Sequence, residues 1–391
     1  MKITIEQSVL LKGIAHVQGI VEVKSTFPVL ANILIQTKGS DLQLSTTDFT
    51  IDAVELIPCT TVSDKGSLTV NAHTLYGIVK KLADGTQVEI HKADDSDLVS
   101  IRAGRSVFKL PTIDSADFPE IRSEVALPNQ FDLTISELKT IIDHTKFAMS
   151  TDDTRYYLNG LYIHVKDYKH ENPESNEAPI LRAVSTDGHR LARVELPLPE
   201  GAANIHPPGE SGFIIPRKTI LELRKLIDED MGKDSLPIVK VSISNEFIRF
   251  SYGNVVITSK LVDGKFPDYE RVIPTTNDKR LEVDCASFRL AVERVSTLST
   301  ELSKVVRLSL KDRTLTVNVS SSENGSGLDE IEADYNGEPM EVGFNWKYLL
   351  DVTDQIQGGI ALFKLADSNG PAVISDISDQ SAIYVLMPMR V

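Results

Sequence analysis

One ordered set of markers runs through this chain three times, and that repetition limits its possible folds more than any other feature. Each third opens on a segment whose apolar residues recur at three and four positions: Leu10, Leu11 and Ile14; Leu138, Ile141, Ile142 and Thr145; Phe288, Ala291, Val292 and Val295. That spacing predicts amphipathic helices with one buried stripe. A second such segment follows in each third. Leu75, Ile78 and Val79 come after Asn71, Ile220, Leu223 and Leu226 after Pro216, and Leu349, Val352 and Ile356 after Asn345. Asn caps a helix start by accepting a bond from a free amide, and Pro suits a first turn because it has no amide to lose. First helices are therefore expected to begin near 10, 138 and 288, and second helices near 72, 217 and 346.

Smaller markers keep the same order. Thr47-Asp48 returns as Thr186-Asp187, and Phe118-Pro119 returns as Phe266-Pro267. Between the helices the pattern alternates with period two, as in Asp41–Ser45, Val99–Arg102, Val239–Ile243 and Leu315–Val319, the mark of strands with one wet face. Each repeat reads as two helices laid on antiparallel sheet, an α+β architecture of three tandem similar domains of about 130 residues. Turn formers cluster at Leu127-Pro128-Asn129 and at 274–277, which sets the expected domains at 1–127, 128–275 and 276–391. Lys166–Pro179 stands outside the pattern; it is polar, aperiodic, and reads as an exposed hairpin loop in the central domain.

Composition narrows the function. Lys and Arg number 41 against 56 Asp and Glu, a net charge of -15, which argues against a uniformly basic polyanion-binding surface but not against local basic patches. No apolar run approaches the ~20 residues that span a bilayer, and Glu6, Gln7 and Lys12 interrupt any signal-like core. Cys59 and Cys285 match no metal or disulfide spacing, so a reducing cytoplasm is the expected setting.

Catalytic motifs are largely missing. The chain has no P-loop, no strand-linked GxGxxG and no GxSxG elbow, and Asp228–Asp234 fails the EF-hand register. Asp187-Gly188-His189-Arg190 is the most enzyme-like cluster, since a carboxylate near a His could orient it for base catalysis; a Gly-containing turn is the plainer reading. Basic residues recur on equivalent helices: Lys80 and Lys81, then Lys139 and Lys146, then Arg217, Lys218, Arg224 and Lys225, with Arg155-Tyr156-Tyr157 adding a cation beside two rings. A solvated face explains any one of them; together they suggest a surface for phosphates. The C-terminal run Ile383–Val391 is apolar almost throughout, and so is expected to be tied into a sheet, with Met387, Pro388 and Met389 available to an adaptable groove.

Four longer motifs carry a family resemblance: Arg155–Gly160, Ser185–Leu191, Ser259–Tyr269 and Tyr384–Arg390. On these the chain resembles, from end to end, the bacterial DNA polymerase III beta subunit family of sliding clamps. The resemblance implies a homodimer in which domain 1 of each copy meets domain 3 of the other. The six-domain ring so formed surrounds duplex DNA without reading its sequence. Phe108 and Leu110, opposite Leu298, stand at the implied seam, where Thr297 replaces an apolar residue. By position, Lys24, His73, Lys80, Arg155, Tyr156, Tyr157, Arg217 and Lys218 match residues that meet DNA. The family also carries a cleft between domains 2 and 3 for short linear peptides. Carried over, its wall begins with Leu158, Thr186, Gly188, His189, Arg190 and Leu191. It continues through Pro267, Arg271, Val272, Asn345, Tyr348 and Ser368, and ends with Val385, Met387, Pro388, Met389 and Arg390. Ser303 replaces an aromatic that some relatives place at the rim.

The implied role is a non-catalytic processivity factor without cofactor or metal. Its implied partners are the polymerase III alpha subunit, the clamp-loader delta subunit, other polymerases, and mismatch-repair or ligase proteins, with no membrane. Two other classes remain open on the residues alone. One is a hydrolase using Asp187 and His189; the other is a three-repeat protein-binding scaffold that holds no DNA.

Overall fold

The computed structural model describes residues 1–22, 26–122, 125–167, 177–205, 212–230, 238–300 and 303–390. The six expected helices are α1 (Gln7–Gln18), α2 (Ala72–Val79), α3 (Ile135–Thr145), α4 (Arg217–Asp230), α5 (Cys285–Ser296) and α6 (Trp346–Thr353). The first helix of each repeat begins three residues before its first apolar marker, and that opening residue, Gln7, Ile135 or Cys285, is already buried. In α5 the apolar stripe is Phe288, Ala291, Val292 and Val295, all buried. Burying a side chain the size of Phe288 stabilises by about 2–3 kcal/mol. Asn71 caps α2 by accepting from the Thr74 amide at 2.9 Å, and Asn345 caps α6 by accepting from Lys347 at 3.0 Å.

The strands form antiparallel sheets in two compact units. The first unit comprises Met1–Ser136, Pro199–Pro207 and Lys218–Leu261; the second comprises Glu137–Leu198, Pro208–Arg217 and Val262–Val391. The division cuts through the central repeat. In the first unit, one sheet runs Thr61–Asp64, Lys2–Glu6, Gln87–His91, Leu98–Ala103 and Ser106–Pro111. The other is eight-stranded and crosses from the first repeat into the central one, where Ile51–Pro58 pairs with Val255–Lys260 in the register Val54↔Val256. In the second unit, a nine-stranded sheet crosses from the central repeat into the third, where Arg190–Pro197 pairs with Ala382–Leu386 in the register Ala192↔Tyr384. A smaller sheet runs Gly325–Glu332, Thr314–Ser321, Val305–Lys311 and Met340–Asn345. The apolar C-terminal run therefore enters a sheet, as its composition suggested.

Each unit has its own core. In the first, Asp52 is almost fully buried and is met by Arg122 through two side-chain bonds of 2.7 Å, by the Arg122 amide at 3.0 Å and by the Thr47 hydroxyl at 2.6 Å. A buried carboxylate with this many donors fixes the segment that brings them. Both thiols lie inside as well: Cys59 is half-buried, Cys285 is buried with its thiol toward the Thr353 carbonyl, and burial pushes each up to about 11. The polar segment between the strands Gly160–Lys166 and Ile180–Thr186 falls, over 168–176, outside the described residues.

The core of the second unit holds a titratable link between α3 and the C-terminal strand. His144 of α3 stacks against Tyr384, and its Nδ1 lies 2.5 Å from the Tyr384 hydroxyl. Both side chains border a polar cavity of about 350 Å³ shared with Gln355, Asp376 and Asp379. Burial holds the His144 pKa below its ordinary value, outweighing the pull of Asp379, Asp143 and Asp376, while Lys139 adds to the lowering. The unfolded chain then takes up this proton more readily than the folded one. The stabilisation is complete above about pH 6.5, the unperturbed value, and is lost as pH falls through the lower folded pKa. Urea midpoints measured from pH 8 down to 5 are expected to decline in that window, and His144→Gln is expected to flatten the decline; an equally steep curve in the variant would remove His144 as its source.

Candidate nucleic-acid and partner-binding surfaces

The Thr-Asp marker builds the same turn twice. In the central repeat, the Thr186 hydroxyl accepts from the Gly188 amide at 3.1 Å, and Asp187 Oδ1 accepts from the amides of His189 and Arg190 at 2.9 and 3.1 Å. In the first repeat, the Thr47 hydroxyl accepts from the Phe49 amide at 3.0 Å, and Asp48 Oδ1 accepts from Thr50 and Ile51 at 2.9 and 2.7 Å. Both turns force their third residue into the left-handed region, with φ +88° at Gly188 and +68° at Phe49. Glycine accepts that conformation without strain and phenylalanine does not. Asp187 is thus spent on its turn, its second oxygen taking Arg190 Nε at 3.0 Å. Among the described residues no hydrogen bond joins it to the exposed His189 ring, so the cluster lacks the geometry of an oriented base.

In the second unit this turn forms part of an apolar surface. Leu158, Leu191 and Val385 are buried together with Tyr162, Phe266 and Tyr269. Met387, Met389 and Val272 stand roughly 40–50% exposed beside polar neighbours. The chain end is pinned at alternate residues: the Met387 amide donates to the His189 carbonyl at 2.9 Å and the Met389 amide to Gly343 at 2.8 Å. Pro388, between them, has no amide to satisfy. Arg190 is locked on every side, its guanidinium 4.2 Å from the Tyr348 ring centre and 5.2 Å from that of Phe147, and paired with Asp187 and Asp351. Asn345 spends its side-chain oxygen on the α6 cap. Ser368 lies in the turn between the strands Ile360–Leu365 and Ala372–Asp376, and Arg390 is exposed.

The segment 266–272 rests on side chains that sequence reasoning missed. Tyr162 stacks flat on Phe266, ring centres 4.7 Å apart, and the Tyr269 hydroxyl lies 2.8 Å from His164 Nε2. Burial pushes the Tyr269 phenol up to about 12. Burial also raises Glu270, but Lys166 and Arg182 beside it outweigh that and hold its carboxyl below the usual range. Tyr269 is anchored inward and Glu270 is held at the surface by Lys166 and Arg182, while Arg271 and Val272 are exposed, with Arg271 paired to solvent-facing Asp268 at 2.6 Å. The sequence signal was present in His164 and Lys166, polar side chains on the same face of a strand that is otherwise apolar.

The cations expected to meet phosphate are distributed over both units. In the first, His73 is exposed on α2 and Lys80 is exposed at its C-cap, with the Lys80 ammonium 5.5 Å from the Tyr76 ring centre. Lys218 donates to Asp48 at 2.5 Å and to the Ile20 carbonyl at 2.7 Å. In the second, Arg155 donates to Asp152 at 3.0 Å and to the Asp187 carbonyl at 2.9 Å, while Tyr156 and Tyr157 meet edge to face at 5.7 Å. Arg217 opens α4, its amide bonded to the Asn159 carbonyl. Lys24 lies outside the described residues. Among the described residues no helix is long and apolar enough to cross a membrane, and no three His, Cys, Asp or Glu side chains are grouped to hold a metal.

Comparison with known proteins accounts for the whole chain. Residues 1–122, 132–268 and 270–390 match, in order, the N-terminal, central and C-terminal domains described for the DNA polymerase III beta subunit. The beta sliding clamp of Caulobacter vibrioides is 44% identical over 391 residues, and that of Escherichia coli 36% over 393, each with full coverage of both chains. Among solved structures, a sliding clamp from Bartonella birtlesii bound to griselimycin superposes with a TM-score of 0.91 at 40% identity, and one from Caulobacter crescentus with 0.89 at 43%; both alignments cover all of each chain.

Gly188 offers a direct test of the turn. A Cβ there would lie 2.9 Å from Arg155 Nη1 on a backbone that side chains avoid. Gly188→Ala is expected to cost about 1–2 kcal/mol in chemical denaturation. Gly77→Ala, in open space on α2, is expected to gain up to about 1 kcal/mol; equal effects from the two substitutions would dismiss the backbone argument.

Proposed function

The chain belongs to the DNA polymerase III beta subunit family, the sliding clamps, and from that premise we propose how it holds DNA and partners. Its role is processivity rather than catalysis. The observation that carries this reading is the match of all three domains, in order, to one family of full-length clamps. We place the domains at 1–127, 128–275 and 276–391, with short non-helical connections preceding the strands that begin at Asn129 and Lys279. The proposed setting is the cytoplasm, and no cofactor is invoked.

Two copies close into a ring by joining unlike edges. Ser106–Pro111 is an outer strand of its sheet and Gly325–Glu332 an outer strand of another, so each carries unpaired ladder groups. Val107 and Leu328 are among the more exposed large apolar residues, and Phe108, Leu110 and Leu298 are half-buried. The first edge bears Arg105 and Lys109, the second Asp329, Glu330 and Glu332. Like edges repel and unlike edges attract, which favours a head-to-tail seam that two copies repeat twice. Thr297 satisfies its own hydroxyl on the Arg294 carbonyl at 2.7 Å, so the polar exchange leaves no orphaned donor.

DNA passes through the ring without being gripped. Lys80, Arg155, Arg217 and Lys218 supply phosphate contacts that are alike at every register; His73 and Lys24 stand at further positions matching the family's DNA contacts. Lys218 and Arg155 already share carboxylates, which tempers their hold. Weak, sequence-blind contacts are what sliding needs, and topology supplies the retention. The acidic remainder limits adhesion elsewhere. A clamp closed by its loader is expected to stay on nicked circular DNA and to run off after linearisation; equal retention on both would rule out encirclement.

Partners dock by short peptides on the apolar surface around Leu158, Leu191, Val385 and Met387. Proposed partners are the alpha subunit of the polymerase, the delta subunit of the loader, and other polymerases, mismatch-repair and ligase proteins. An apolar anchor needs a deep floor and a rim that can adapt, and two exposed methionines beside buried leucines answer both needs. Removing residues 387–391 is expected to weaken a polymerase-derived peptide at least tenfold by fluorescence anisotropy while sedimentation still reports the dimer. Unaltered affinity would move the docking site elsewhere.

A further inference from the structure

The two Thr-Asp turns differ at one position, and that difference is exposed. The central repeat seats Gly188 where the backbone is left-handed, whereas the first repeat seats Phe49. Strain of this kind persists where the surroundings over-determine it. Here Thr47 and Asp48 hold the turn from within, and Lys218 holds Asp48 from outside at 2.5 Å. The result is a ring that is 46% exposed and meets Phe27, itself 57% exposed, edge to face at 5.7 Å and 85°. Core packing does not require a side chain in so strained a position.

We infer that Phe27 and Phe49 form a stacking platform for an unpaired base of single-stranded DNA. This rests on the DNA-encircling role proposed above and assigns that role a second kind of contact. Residues 26–28 and 49–50 are all exposed, so the rings stand on a pair of projecting loops rather than inside a groove. A peptide anchor draws its affinity from a desolvated pocket, which this place does not provide. A base needs only an aromatic face, with a cation close by for its phosphate. Lys218 is the nearby cation, its side chain 39% exposed at the foot of the turn, and because it is paired with Asp48 it mainly offsets the carboxylate that would otherwise repel the strand. Stacking on an aromatic face is indifferent to base identity, so the platform is compatible with a sequence-blind clamp. It would act where duplex gives way to single strand.

Phe49→Gly separates binding from folding, because glycine takes the left-handed seat freely and the unfolding midpoint is expected to hold or rise. The probes are a blunt duplex and the same duplex with a 5′ oligo-dT overhang carrying one 2-aminopurine, titrated with the full-length protein at low salt. Wild type is expected to bind the overhang form about tenfold more tightly and to quench the 2-aminopurine. Phe49→Gly and Phe27→Ala are expected to lose that advantage and the quenching, Phe49→Trp to keep both, and blunt-duplex affinity to stay the same throughout. The platform is overturned by an overhang advantage that survives both variants, by equal losses on both DNAs, or by a defect confined to self-association or peptide binding. Wild type that binds neither DNA, or binds both alike, would overturn the platform alone, whereas the encircling role falls only to equal retention on nicked circular and linear DNA after loading.

Discussion

The structure depends on backbone ladders that ignore the repeat boundaries. A repeat of two helices on a small sheet leaves strand edges whose amides and carbonyls need partners. The pairing of Ile51–Pro58 with Val255–Lys260 in one unit, and of Arg190–Pro197 with Ala382–Leu386 in the other, satisfies those edges by borrowing a strand from the next repeat. The central repeat is therefore shared, and no third of the chain is an independent block. The same pairing sets the apolar surface proposed for partners, since Leu191 and Val385 come opposite each other only because two repeats share one ladder.

One local motif serves two ends. Threonine followed by aspartate folds the backbone into a left-handed bend through three hydrogen bonds, whatever residue comes next. With glycine there, the bend admits the Arg155 guanidinium and joins the wall of an apolar surface. With phenylalanine there, it projects a ring from the surface. The bend is inherited; its use is set by a single side chain.

Much of this was legible in the sequence. Helix positions followed from apolar spacing and from the caps at Asn71 and Asn345, since both signals are local. The tail's entry into a sheet followed from its apolarity. Which strand pairs with which did not, because period-two alternation marks a strand without naming its neighbour. The side chains beneath residues 266–272 were missed for a similar reason: His164, Lys166 and Arg182 meet Tyr269 and Glu270 across about a hundred residues of chain. Phe49 went unnoticed because phenylalanine does not announce a turn. The markers that flanked it did, and only the superposable bonding of the two turns gave the exchange a meaning.

The two native thiols, one buried and one half-buried, have a practical consequence. With burial pushing each up to about 11, both carry far less thiolate at pH 7 than an ordinary cysteine, and thiolate is the form that reacts. A cysteine engineered onto the surface would thus take up a maleimide dye or a crosslinker far ahead of the native pair. The natural sequence can serve as its own silent background for site-specific labelling, with neither Cys59 nor Cys285 replaced.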